Sequence, residues 1–163
     1  MNTIKVRDIE IGAGAPKIIV PIVGVTKDDI IAEAKTFDSI PVDMVEWRVD
    51  WFENVFEFDK VEEVLKELRD ALGNIPILMT FRTSKEGGEK AIEPEAYARL
   101  NVKAAQTGYV DFVDVEIFTG DEIVKNADAK LAKNDPAGNE IAYNEYEKGI
   151  KRYKESILAS EKA

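Results

Sequence analysis

A chain of 163 residues, 45% hydrophobic and 33% charged, has the length and composition of one ordinary globular domain rather than a disordered or fibrous one. Its formal net charge of −10 argues against nucleic acid or an anionic membrane as partner, because gripping phosphates takes clustered Lys and Arg. It has no histidine and no cysteine, which excludes disulfides, thiolate metal sites and imidazole acid/base chemistry. The longest apolar run, 18–25, is too short to cross a bilayer, and the first seven residues hold no apolar signal core. The cytoplasm is therefore the expected compartment, and no metal or cofactor is expected.

Ile4, Val6, Ile9 and Ile11 flank Arg7-Asp8 and stop at Gly12, which predicts a small β-hairpin. The nearly continuous apolar run 17–24 reads as a strand buried on both faces, the kind that parallel sheets supply. Pro21 inside it cannot donate a ladder hydrogen bond, so this strand is expected to be irregular there or to lie at an edge. Thr26 is placed to cap a helix whose first turn holds Asp28 and Asp29, and Ile30, Ile31, Ala34 and Phe37 form its apolar stripe. A second strand is expected over 42–50. The helix after it, 58–72, buries Val61, Val64, Leu65, Leu68 and Leu72 and ends at Gly73. A third strand over 75–82 leads to a helix at about 93–107, and a fourth over 109–117 leads to one at about 120–133.

Strands alternating with helices mean βαβ units on a parallel sheet. Four in succession without a Gly-rich phosphate loop favour an α/β half of a (β/α)₈ barrel, since eight such units need about 250 residues. After the turn at 134–139, Tyr143, Tyr146, Ile150, Tyr153 and Ile157 recur at helical spacing, so a C-terminal amphipathic helix is expected to pack on the sheet. The charge balance also changes near residue 126. Residues 1–125 hold 25 acids and 15 bases, whereas 126–163 hold seven of each. Two units are therefore expected, a half-barrel over 1–125 and a helical tail over 126–163.

Residues i and i+2 of a strand share a face. Glu46 and Arg48 then point the same way at the end of the second strand, and Asp114 and Glu116 do so on the fourth. Arg82 ends the third strand, and Lys85 and Glu86 open the loop after it. Charges gathered at carboxyl strand ends are expensive to bury unpaired and coincide with where barrel enzymes build active sites. They fit either a polar cup for a hydroxylated small molecule or a self-neutralising structural network. Asp43 and Asp50 read as solvated strand-end residues, and 85–90 as a charged loop.

Several segments carry a resemblance. Val6-Arg7-Asp8, 14–20, Glu46-Trp47-Arg48-Val49-Asp50, Thr80-Phe81-Arg82, 84–89 and 114–121 occur in the order seen in the N-terminal half of type I 3-dehydroquinate dehydratase. Residues 1–125 resemble that half, and Glu-Trp-Arg followed by Phe-Arg-x-x-x-Glu-Gly-Gly is a specific combination. The resemblance implies a complete (β/α)₈ barrel in the family. It also implies a shikimate-pathway lyase that removes water from 3-dehydroquinate through a lysine Schiff base and a histidine proton acceptor. Carried over by position, Glu46, Arg48 and Arg82 would hold substrate hydroxyls. Glu86 would orient the catalytic histidine, and Asp114 and Glu116 would line the floor.

This sequence departs from the family after residue 125. The segments that bear the family's histidine, imine-forming lysine and carboxylate-binding arginine do not follow, so the chain is expected to be catalytically incomplete. The alternative is a truncated or engineered half-barrel scaffold, or a self-association module, without activity. The expected ligand is at most a hydroxylated carboxylate. An open half-barrel also leaves unpaired strand edges, which predicts a homodimer or a tail folded across the open face.

Overall fold

The computed structural model describes residues 3–116. The expected helices at 120–133 and 143–157, and the division at residue 126, lie outside them. Strands β1 (Ile4–Val6) and β2 (Ile9–Ile11) form the antiparallel hairpin, with Arg7 in the left-handed region at φ 49°. Four parallel strands follow: β3 (Ile19–Ile22), β4 (Met44–Arg48), β5 (Ile77–Thr80) and β6 (Phe112–Val113), in the order β3-β4-β5-β6. Helices α1 (Lys27–Lys35), α2 (Phe58–Leu72) and α3 (Pro94–Gln106) connect them. Among the described residues β3 is an edge strand, and Pro21 lies in it, where a missing N–H breaks no central ladder. Among the described residues, no helix is long and apolar enough to cross a membrane.

Local chemistry explains the helices. At the start of α1 the Thr26 hydroxyl accepts from the Asp29 N–H, and the Asp29 carboxylate accepts from the Thr26 N–H, a reciprocal capping box. Helix α2 buries the five residues its spacing predicts and ends at Gly73, whose φ of 55° suits a residue without a Cβ. Pro94 occupies the first turn of α3, where a missing N–H is harmless.

All three helices cover one face of the sheet. Ile22, Val45, Trp47, Ile77 and Met79 pack into a single cluster with Ile30, Val61, Leu65, Leu68 and Leu100. The parallel register puts Pro21 beside Glu46, Glu46 beside Leu78, and Arg48 beside Thr80 on the opposite face. A sheet covered by helices on one side, with polar residues on the other, is one wall of a barrel. The hairpin closes the end where the strands begin. Arg7 Nε donates to Asp111 Oδ1 at 2.6 Å, while Asp111 Oδ2 accepts from Arg69 Nη2 at 3.0 Å and from the Ile77 N–H at 2.9 Å.

The strands are shorter than apolar patterning predicts. The chain leaves β4 in a 3₁₀ turn, Val49–Trp51, because Val49 and Phe52 turn inward to pack in the core. Strand β6 spans two residues instead of nine. Beyond it, side chains of α3 replace the ladder: Tyr97 Oη donates to the Asp114 C=O and accepts from the Glu116 N–H, and Asn101 Nδ2 also donates to the Asp114 C=O.

Candidate functional site

The polar residues singled out from the sequence meet at the carboxyl ends of β4, β5 and β6. Arg82, just past β5, is the centre. Its Nη1 lies 3.0 Å from Glu86 Oε2 and 3.0 Å from Glu116 Oε1, and its Nη2 lies 3.3 Å from Asp114 Oδ2. Three carboxylates around one guanidinium outweigh the burial that alone would lower its pKa, and raise it. Glu116 is buried. Its carboxylate also accepts from the Thr83 N–H at 2.8 Å and the Thr83 hydroxyl at 2.7 Å. Burial pushes the Asp114 carboxyl upward, with Arg82 opposing and the nearby Glu116 and Glu46 adding to the rise.

Glu46 and Arg48 occupy the same face of β4, as their spacing predicts. Glu46 is half-buried and, among the described residues, makes no hydrogen bond or ion pair. It is close enough to both Arg48 and Asp114 to act on their charge. Arg48 donates instead to Asp50, through Nε to Oδ1 and Nη2 to Oδ2, both at 2.9 Å. All six predicted residues therefore lie near the carboxyl strand ends, with Glu86, Asp114 and Glu116 gathered on Arg82 and with Glu46 and Arg48 on one face of β4. The expectation for Asp50 is corrected: it is fully buried, not solvated. Chain reversal in the 3₁₀ turn carries it inward, where it finds Arg48 and two backbone N–H groups, those of Arg82 at 3.3 Å and Glu89 at 3.1 Å. Asp43 is half-buried and accepts from the Ile18 N–H at 2.7 Å.

The 83–90 segment is more than a charged loop. The Ser84 N–H donates to the Lys90 C=O, the Gly88 N–H donates to the Thr83 C=O, and Thr83 bridges Lys90. A Cβ on Gly88 would lie 1.8 Å from the Arg82 carbonyl oxygen, so only glycine permits this close return. Lys90 Nζ donates to the carbonyls of Asp50 and Phe52 at 2.6 and 3.0 Å. The loop is thus tied to β4 and β5, with Glu86 held on it. A cavity of about 310 Å³ is lined by Glu86, Tyr97, Glu116, Ile92 and Pro94, among others.

Sequence reasoning misread Asp50 and passed over Thr83, Lys90, Tyr97 and Asn101 as site residues. Three of these left a signal. Arg48 and Asp50 stand at i and i+2, and Tyr97 and Asn101 at i and i+4 of one helix face. Burial pushes the Tyr97 phenol up to about 12, so it stays protonated and keeps donating to Asp114.

The sequence model of the type I 3-dehydroquinase family matches residues 18–137. The 3-dehydroquinate dehydratase of Clostridioides difficile strain 630 is 51% identical over 121 residues, which is 74% of this chain and 48% of that protein. The Salmonella agona enzyme of the same name is 46% identical over 125 residues, covering 77% of this chain and 50% of the relative. A solved type I 3-dehydroquinate dehydratase from Clostridium difficile, with covalently modified comenic acid, superposes with a TM-score of 0.79 at 48% identity, over 81% of this chain and 52% of that one. The enzyme from Enterococcus faecalis gives a TM-score of 0.76 at 39% identity, with 80% and 54% covered. This chain therefore spans about half the length of the relatives it matches. On sequence and fold together, it belongs to the type I 3-dehydroquinase family.

Proposed function

We propose that this chain carries the hydroxyl-binding half of a 3-dehydroquinate site and holds that ligand without dehydrating it. The arrangement of Glu86, Asp114 and Glu116 around Arg82, with the Glu46 carboxylate nearby and unpaired among the described residues, carries this reading. A cup richer in carboxylates than in guanidiniums accepts hydrogen bonds from the ligand's hydroxyls and would leave the ligand's own carboxylate turned away from it. Glu46, Arg48 and Arg82 would take the hydroxyls, above a floor of Asp114 and Glu116. Glu86 would orient a histidine in the complete family. This sequence has none, and the Glu86 carboxylate rests on Arg82. Imine formation needs a desolvated lysine with some neutral amine. Lys85 is exposed, and the Lys90 amine is engaged by two carbonyls. A cytoplasmic location belongs to the same reading, and the cysteine-free composition agrees with it.

The chemistry is tested by incubating the chain with 3-dehydroquinate, following the conjugated enone by absorbance, and adding borohydride before intact-mass measurement. The expected result is no product and no adduct. A mass increase on one lysine would show that the chain supplies imine chemistry of its own.

Self-association through the open wall is a second part of the proposal. Strand β3 has no neighbour on its outer side among the described residues, and Ile19 and Val23 stand 48% and 38% exposed beside it. Unpaired parallel edges with exposed apolar side chains favour pairing with a second copy. Light scattering across a concentration series tests this, and a constant monomer mass would refute it.

A further inference from the structure

We infer that Asp50 is a positioning residue that fixes the Arg48 guanidinium for the cup and ties the Glu86-bearing loop to the ends of β4 and β5. The inference rests on the half-site reading above. It stands on geometry that the six cup residues do not account for. The Asp50 carboxylate is fully buried and receives four donors: two from Arg48 in a fork at 2.9 Å each, the Arg82 N–H and the Glu89 N–H. Its own carbonyl takes Lys90 Nζ at 2.6 Å. One residue therefore touches the last residue of β4, the backbone at Arg82, and both 89 and 90 of the returning loop. The side chain itself does not face the ligand. Its effect runs through Arg48, whose side chain is part-exposed on the face of β4 that it shares with Glu46.

A forked ion pair removes the rotamer freedom that a free arginine loses on binding. A buried carboxylate serving only the fold would act differently: it would lower the melting temperature and leave the affinity of the folded protein unchanged. The distinguishing experiment is a double-mutant cycle. Calorimetry with 3-dehydroquinate is run on the wild type, Asp50→Asn, Arg48→Ala and the double variant. Arg48 Nε–Hε is followed by NMR in the ligand-free chain.

Asp50→Asn is expected to weaken binding about tenfold, the loss that goes with one charge-assisted hydrogen-bonded pair. In the Arg48→Ala background the same change should cost nothing further. The Arg48 Hε signal should move and exchange faster in Asp50→Asn. Equal losses in both backgrounds, or an unmoved Hε signal, would overturn the inference. If the wild type itself gives no binding heat, the half-site reading falls, and the Hε signal alone decides the role of Asp50. If Asp50→Asn does not fold, the wild type decides. Arg48 Hε should exchange at least about tenfold more slowly than that of the exposed Arg99, and equal rates would overturn the inference.

Discussion

Replacing Glu116 with alanine should destabilise the chain by about 2–3 kcal/mol. The carboxylate accepts from the Thr83 N–H, the Thr83 hydroxyl and Arg82 Nη1, at 2.8, 2.7 and 3.0 Å. Truncation strands the Thr83 N–H in a buried setting, which costs about 1–3 kcal/mol. The hydroxyl can rotate toward another acceptor and contributes less. Arg82 keeps Glu86 and Asp114, so the loss stops short of the roughly 3–5 kcal/mol of a fully broken buried pair. At about 2–4 °C per kcal/mol for a chain of this size, the midpoint should fall by about 5–10 °C. Urea unfolding gives the free energy, and an unchanged m-value would confirm that the folded state keeps its extent. Glu116→Gln retains one acceptor oxygen and should lose roughly half as much. A change under about 0.5 kcal/mol for Glu116→Ala would refute the reasoning, because it would mean that Glu116 behaves as a surface residue.

Gly88→Ala should destabilise by about 1–3 kcal/mol or more, since its Cβ would press on the backbone of Arg82 and not on a flexible side-chain tip. Faster proteolysis within 83–90 is the direct readout, and wild-type resistance would contradict the close return. Tyr97→Phe removes the donor to the Asp114 C=O and the acceptor for the Glu116 N–H, and should cost about 1–3 kcal/mol in denaturant unfolding. Burial alone would raise the Asp50 carboxyl, but the Arg48 fork and the backbone N–H groups of Glu89 and Arg82 outweigh it and hold it below the ordinary carboxylate range. Its stabilisation is then present above the unfolded-state pKa of about 4 and drains away as pH falls through the lower folded value. Stability measured against pH should fall more steeply on acidification in the wild type than in Asp50→Asn, and parallel curves would count against this. Asp114 has the opposite sign: its raised pKa means that ionisation weakens the fold as pH rises through it. Asp114→Asn should therefore gain on the wild type at neutral pH and lose that advantage in acid.

Features written in local chemistry were legible from the sequence. The stripe of α2, the Thr26 box, the hairpin around Arg7-Asp8 and the edge position of Pro21 each depend on neighbours a few residues away. Strand period also placed Glu46 with Arg48 and Asp114 with Glu116 on one face. The strand ends were not legible, because they are set by distant competitors. Tyr97 and Asn101 take over the polar backbone groups after Val113, and inward packing of Val49 and Phe52 bends the chain after Arg48. Asp50 was misread for the same reason. An acid at a predicted strand end is ordinarily solvated, and only the return of Glu89 and Lys90 from the next loop encloses it.

If the chain binds as proposed, the cup takes the hydroxyls of 3-dehydroquinate through Arg82. Isothermal calorimetry of the wild-type chain with 3-dehydroquinate, repeated on Arg82→Ala, tests it most directly. One saturable site is expected, weakened about 10- to 100-fold by the loss of Arg82, the scale of charge-assisted hydrogen bonds. No heat of binding from the folded wild type, or equal affinity in the two proteins, would contradict it.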